Sequence, residues 1–403
     1  MKTVAIISEY NPFHSGHLHQ IKKIKEIFGE DTRIVAIMSG NFTQRGEIAF
    51  LDKSARAKMA VLCGVNLVLE LPFPYSMASA EIFASAGVSI ADALGCIDVL
   101  SFGSEIGELS LLSEAARITA TDEFAAMLKM TEEKHPSLGH AALTERVLSA
   151  YIGKASAKRL LSPNNILAIE YIKALMRIGS KIEPHTVLRE GSAYGDEALS
   201  DTSHSSASAI RAAIRDGRLT DAAAHIPAPC RDAFIEEIEC GNAPTDEGRL
   251  DSAILSYFRL NKPTGACHIQ DAEGGLYNRL ITKSYEATDI FGLTALTETK
   301  KFTKARIRRA ILYSFFGVTS SDARSTPGFT RVLALDKQGQ AILREAKVSC
   351  KLPIVTKPSE SLLNEEAERQ KSLADRADAV FQLTKPKGTD GSFAMRTSPF
   401  FKG

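Results

Sequence analysis

Two histidines, His14 and His17, flank a glycine in the stretch Ile6-Ile7-Ser8-Glu9-Tyr10-Asn11-Pro12-Phe13-His14-Ser15-Gly16-His17-Leu18. At a helix start, imidazoles three residues apart are two aimed donors, set beside unpaired backbone N–H groups and roughly +0.5 charge from the helix dipole. Such an end suits an anion, and with two extra donors it suits a triphosphate, which makes it a candidate ATP α-phosphate site. The local alternative is that His14 caps a turn while His17 packs against its neighbours. Context favours the phosphate: residues 4–7 are an apolar, largely β-branched run that reads as a buried strand, Asn11-Pro12 stops it, Gly16 permits a tight turn, and an apolar helical pattern follows.

The elements that must hold these residues alternate. After a helix over 17–28 come a strand at 33–38, a helix over 52–63, a strand at 66–71, a helix over 77–94 and a strand at 97–102. Short apolar strands alternating with helices predict right-handed βαβ crossovers and a doubly wound parallel sheet, whose ligand crevice lies at the carboxyl ends of the strands. His14, Gly40 and Gly103 fall at such ends.

Other loops at that edge carry matching chemistry. Arg45, in the turn over 41–47, is suited to a bidentate phosphate contact, although a surface loop is also polar. Gly103 permits close backbone approach to a nucleotide, or it belongs to a plain helix-entry turn with Ser104 as cap. A polar helical insertion spans 122–158, and Ser162-Pro163-Asn164-Asn165 then opens a helix to about 177, with Ser162 as cap. A strand over 181–188 places Arg189 at another carboxyl end, where a nucleotide contact fits. Ser205-Ser206-Ala207-Ser208-Ala209-Ile210-Arg211 opens the next helix and offers hydroxyls and a fixed cation to the β- and γ-phosphates; taken alone it is equally an ordinary serine cap with a solvent-facing arginine.

Glu9-Tyr10-Asn11-Pro12-Phe13-His14-x-Gly16-His17, followed by Met38-Ser39-Gly40-Asn41-Phe42-x-Gln44-Arg45-Gly46-Glu47, closely resembles the bacterial tRNA(Met) cytidine acetate ligase family, within the HIGH-motif nucleotidyltransferases. The segment around Ser208 and Arg211 is similar to the second signature of that group, with Ser208 where threonine is common and Ala209 where another hydroxyl often stands. The resemblance covers the N-terminal part strongly and the rest loosely. It implies an ATP site built from Ile7, Ser8, Glu9, Tyr10, Asn11, Pro12, Phe13, His14, Gly16, His17, Gly103, Asn164, Arg189, Ser208 and Arg211, with His14, His17, Arg45 and Arg211 acting in catalysis. It further implies that acetate and ATP give acetyl-AMP, which acetylates N4 of the wobble cytidine of elongator tRNA(Met). Mg²⁺ would arrive with ATP rather than in a protein cage. A small-molecule nucleotidyltransferase and a non-catalytic RNA-binding protein on the same fold remain as alternatives.

Length and composition bound the rest. At 403 residues the chain is expected to divide, with 1–217 as the ATP-binding catalytic domain and 218–403 as a mainly helical RNA-binding domain carrying a small α/β appendage (331–356), a charged helix (364–383) and a flexible tail (385–403). The 44% hydrophobic and 24% charged fractions are those of a soluble globular protein, and a cytoplasmic location is expected, without a membrane span or signal peptide. Six cysteines without a Cys-x-x-Cys pair read as buried free thiols; no metal site is expected. The net charge of +1, from 49 basic and 48 acidic residues, requires any nucleic-acid contact to come from a local patch. The run over 300–309 supplies six cations without an acid. Lys301, Lys304, Arg308 and Arg309 are its candidate tRNA contacts, against the alternative of a solvated basic face. The sequence leaves the oligomeric state open.

Overall fold

The computed structural model describes residues 1–136, 138–189, 206–262, 268–358 and 364–403. The first part of the chain runs β1 (Thr3–Ser8), α1 (Ser15–Phe28), β2 (Arg33–Ser39), β3 (Phe42–Thr43), β4 (Glu47–Ile48), α2 (Lys53–Leu62), β5 (Leu67–Leu71), α3 (Ala80–Leu94) and β6 (Val99–Ser104). Four helices, α4 (Leu109–Thr119), α5 (Asp122–Lys134), α6 (His140–Ile152) and α7 (Lys154–Leu160), precede α8 (Pro163–Ile178) and β7 (Glu183–Leu188). The helical stretch is α9 (Ala207–Arg215), α10 (Leu219–Ala224), α11 (Ala228–Glu239), α12 (Asp251–Leu260), α13 (Leu276–Ser284), α14 (Ile290–Thr297), α15 (Lys304–Phe316) and α16 (Ser320–Arg324). The chain closes with β8 (Thr330–Asp336), α17 (Lys337–Ser349), β9 (Ile354–Val355), α18 (Glu365–Phe381), α19 (Phe393–Arg396) and β10 (Phe400–Lys402).

The main sheet has the order β10-β8-β5-β2-β1-β6-β7, with β9 beside β8. From β5 to β7 all neighbours are parallel. Strands β1, β2 and β5 step outward in one direction, and the crossover through α3 then returns the chain to the other side of β1. The switch point, where a doubly wound sheet opens its crevice, therefore lies between β1 and β6. Alternation within β1 shows why both faces must be covered. Val4 and Ile6 join a core with α1, α2, α9 and α11, whereas Ala5 and Ile7 join one with α3, α4 and α8. A third core holds α12 to α16 and α18 together, and it reaches into the N-terminal part through Phe42, Phe73 and Met77.

Strands beyond residue 217 complete this sheet. β8 pairs antiparallel with β5 and lies between it and β10, so the α/β segment expected as an appendage is part of the main sheet. The tail expected to be flexible is also built in: β10 pairs with β8, and the Lys385 ammonium, 2% exposed, meets Asp52 at 2.9 Å. An acid 333 residues away is not visible to a local reading of a Gly/Ser/Lys-rich tail. Of the cysteines, Cys63 and Cys230 are buried but Cys240 is exposed; Cys267 lies outside the described residues.

Candidate active site

The turn after β1 fixes both imidazoles. His14 is the N-cap of α1, and its Nδ1 accepts the Gly16 N–H at 3.0 Å. The Nδ1 of His17 in turn accepts the His14 N–H at 3.2 Å, a reciprocal capping box in which histidines take the places of the usual hydroxyl and carboxyl. Backbone N–H groups can only donate, so both Nδ1 atoms are acceptors and each neutral ring must carry its proton on Nε2. Gly16 is required for this: a Cβ there would lie 2.9 Å from the His14 ring. The rings are 3.9 Å apart, centre to centre. Tyr10 and Phe13, both fully buried, hold His17 from the other side at 4.8 and 5.4 Å. Burial, the His14 ring and the Arg189 guanidinium hold His17 well below 6.5, so it is a neutral donor at pH 7.

One expectation needs correcting here. The first-turn amides of α1 are not open to an anion: Ser15 N–H donates to the His225 carbonyl at 3.2 Å, Gly16 N–H to His14 Nδ1, and His17 N–H to the His14 carbonyl. The dipole remains, but the aimed donors of this turn are the two Nε2–H groups.

Arg211 reaches the same turn. Its guanidinium donates to the Asn11 carbonyl at 2.7 Å, approaches Ser208 Oγ at 3.4 Å and lies 3.6 Å from the Glu47 carboxylate. The two signatures, 194 residues apart between His17 and Arg211, thus form one constellation. Ser206 caps α9 through the Ala209 N–H; Ser205 lies outside the described residues. Asn11 itself is locked by the Phe50 N–H at 2.7 Å.

On the β6 side, the side chain of Arg189 lies across Gly103, where a Cβ would sit 3.1 Å from Arg189 Cγ. Asn164 donates to Glu105 at 2.6 Å. Ser162 does not cap α8 through its hydroxyl; the Glu105 carboxylate does so, accepting the Asn165 N–H at 3.0 Å and the Ser162 hydroxyl at 2.9 Å. Asn165, fully buried, accepts the Glu105 and Ile106 N–H groups at 2.9 and 3.3 Å and so ties the end of β6 to α8.

Arg45 is exposed in the turn between β3 and β4, whose neighbouring Gln44 N–H donates to Glu9 Oε1 at 2.9 Å. Burial and the nearby Glu47 raise the Glu9 carboxyl above its ordinary value, against the pull of the Gln44 hydrogen bond and the cations Arg211 and Arg56. Arg56 escaped the sequence reading because a lone arginine in a helical pattern reads as solvent-facing. It is fully buried instead, donating to the carbonyls of Glu9, Ser39, Gly40 and Leu51 at 2.6–3.0 Å, and so clamps the carboxyl ends of β1 and β2.

The basic run divides. Arg308 makes a bidentate pair with Glu247, at 2.6 and 2.9 Å, and also donates to the Gly46 carbonyl. Arg309 pairs with Asp271 at 2.5 Å and donates to the Gln44 carbonyl at 3.3 Å. These two cations therefore brace α15 against the active-site loop and are not presented as tRNA contacts. Gly46, at φ +73°, allows the approach: a Cβ would lie 2.6 Å from the Arg309 nitrogen. Lys301 and Lys304 remain at the surface, with Lys304 3.8 Å from Glu298. Among the described residues no group of three or more His, Cys, Asp or Glu could hold a metal, and no helix is long and apolar enough to cross a membrane.

A doubly wound sheet with paired imidazoles at its switch point and an arginine from a later helix on the same turn defines a nucleotidyltransferase-type site, and the HIGH Nucleotidyl Transferase family model matches residues 1–393. The tRNA(Met) cytidine acetate ligase of Caldicellulosiruptor saccharolyticus is 37% identical over 394 residues, 95% of this chain and 94% of that protein. The protein of the same name from Thermoanaerobacter sp. is 35% identical, over 89% of this chain and 90% of that protein. The crystal structure of Thermotoga maritima TmcAL bound with alpha-thio ATP superimposes with a TM-score of 0.91 at 29% identity, covering 100% of this chain and 99% of that one. The chain belongs to the tRNA(Met) cytidine acetate ligase family.

Proposed function

We propose that the protein joins acetate to the N4 amine of the wobble cytidine of elongator tRNA(Met) at the expense of ATP, in the cytoplasm. The observation that carries this reading is the pair of Nε2–H donors, fixed in one tautomer by backbone N–H groups, beside an Arg211 tethered to the same turn. The relatives' name supports the choice of acetate and tRNA, and the ATP analogue bound in the Thermotoga maritima protein supports ATP.

In the first step an acetate oxygen attacks the α-phosphorus in line and pyrophosphate leaves. Negative charge grows on the phosphoryl oxygens, where the imidazole donors and the cations Arg211, Arg189 and Arg45 stabilise it; no enzyme nucleophile is needed. Mg²⁺ enters with ATP. The crevice protects acetyl-AMP from water until the amine arrives. Ile7, Ser8, Glu9, Asn11, Pro12, Gly16, Gly103, Asn164 and Ser208 frame the nucleotide, and Lys301 with Lys304 contributes tRNA backbone contacts. Labelled acetate, ATP and elongator tRNA(Met) should give acetyl label in cytidine at the wobble position, with AMP and pyrophosphate released. Label that appears only with acetyl-CoA, or none on this tRNA, would overturn the assignment.

A further inference from the structure

The second step needs a proton acceptor, and the hydrogen bonds of the site restrict which group it is. When the N4 amine attacks acetyl-AMP, an N–C bond forms, the C–O bond to the phosphate breaks with its electron pair leaving on AMP, and one proton must depart from N4. A cytidine amine is a weak base whose lone pair is delocalised into the ring, so an acceptor within hydrogen-bond reach lowers this barrier. His14 and His17 cannot serve, because each Nδ1 already accepts a backbone N–H and each Nε2 carries the proton. Arg45, Arg189 and Arg211 are cations. Glu47 lies 3.6 Å from the Arg211 guanidinium and is engaged as its counter-ion.

We propose that Glu9 is the general base of acetyl transfer, taking the N4 proton on Oε2 while Oε1 stays bonded to the Gln44 N–H. Glu9 stands at the carboxyl end of β1, directly before the His14 turn, on a backbone fixed by the Arg56 guanidinium at the Glu9 carbonyl, 2.6 Å. Its Oε1 is committed to the β3–β4 turn at 2.9 Å, which orients Oε2 as the remaining acceptor. Facing it are Glu47 from β4, Arg56 from α2, Tyr171 from α8 and Arg211 from α9. Burial and Glu47 keep the carboxyl more basic than in water, the direction a base requires. The proton passes to solvent when AMP leaves.

This inference rests on the acetate ligase reading above, and the test separates the two. Glu9→Gln keeps an oxygen for the Gln44 N–H, so a bracing role survives the change while proton acceptance is lost. Two rates are compared in wild type and variant: acetate-dependent exchange of labelled pyrophosphate into ATP without tRNA, and single-turnover transfer from preformed acetyl-AMP to tRNA(Met). The ratio of transfer to exchange should fall about 10²- to 10⁴-fold in Glu9→Gln. Wild-type transfer should slow as pH drops through the Glu9 titration, with the residual rate of the variant independent of pH there. Transfer at the wild-type rate would mean that the leaving phosphate takes the proton itself, and an equal loss of both rates would limit Glu9 to framing the nucleotide; either overturns the proposal. Absence of exchange in the wild type even with tRNA(Met) present would sink the ligase reading, and this inference with it.

Discussion

Two sets of cations flank the loop over 41–48 and behave in opposite ways. On one side Arg211 is held by a carbonyl, a hydroxyl at 3.4 Å and a carboxylate at 3.6 Å, beside two neutral imidazoles whose Nδ1 atoms accept backbone N–H groups. On the other side Arg308 and Arg309 are saturated by Glu247 and Asp271 and fastened to the loop carbonyls. The first set keeps its charge for a ligand, whereas the second uses its charge as mortar between two parts of the chain. A cation's role is thus set by the distance of its nearest acid, not by the number of cations in its run.

The most damaging change on the ligand side should be His17→Ala. Losing one donor that acts on transition-state charge costs about 10²–10³ in rate, so adenylation should collapse while the protein still folds. His14→Ala should follow it, and each change should lower stability by about 1 kcal/mol through loss of its half of the capping box. Near-normal exchange by a folded His17→Ala protein would dissolve the distinction between the two sets.

On the bracing side, Arg309→Ala strands the Asp271 carboxylate, whose side chain is 12% exposed. The expected cost is about 3 kcal/mol, the low end for breaking a buried pair, read as a lower urea midpoint. The salt dependence of tRNA binding should be untouched; a fall in the salt slope with unchanged stability would return Arg309 to the RNA. Lys301→Ala and Lys304→Ala should do the reverse, each lowering the salt slope by about one with no measurable effect on unfolding.

The smallest effect concerns pH. His17 lies well below 6.5 in the folded protein, so the unfolded chain binds the proton more readily than the native one. Its contribution to stability is therefore intact above 6.5 and is lost as pH falls from 6.5 towards the folded value. Exchange, which needs the neutral ring, should stay level between pH ~6 and ~8. A step centred near 6.5 in the exchange rate would show that His17 titrates freely and is not packed as described.

What was legible in the sequence follows the same division. The strand–turn–helix around His14 could be read because strand, breaker, glycine and helix occupy adjacent positions and act through local geometry. Its alternation with later strands also gave a doubly wound parallel sheet with a crevice at the carboxyl ends of its strands. The fate of Arg308, Arg309 and the tail could not be read, because their partners Glu247, Asp271 and Asp52 lie 38 to 333 residues away. Arg56 was hidden by its neighbours, since nothing in a helix pattern marks an arginine whose partners are backbone carbonyls of other strands. The occupied first-turn amides of α1 were missed for a different reason: histidine is an unusual residue for a capping box, and the aimed-donor reading presumed those amides open.

We propose that the crevice between β1 and β6 adenylates acetate by itself, before RNA takes part. His14, His17 and Arg211 meet at the end of β1 and Arg189 lies across Gly103 at the end of β6, whereas Lys301 and Lys304 are exposed at and just before the start of α15. The direct measurement is exchange of labelled pyrophosphate into ATP by the full-length protein, with and without acetate and without tRNA. Exchange should require acetate and be abolished in His17→Ala. Exchange that appears only once tRNA(Met) is added would contradict the proposal, because RNA would then be completing the adenylation site.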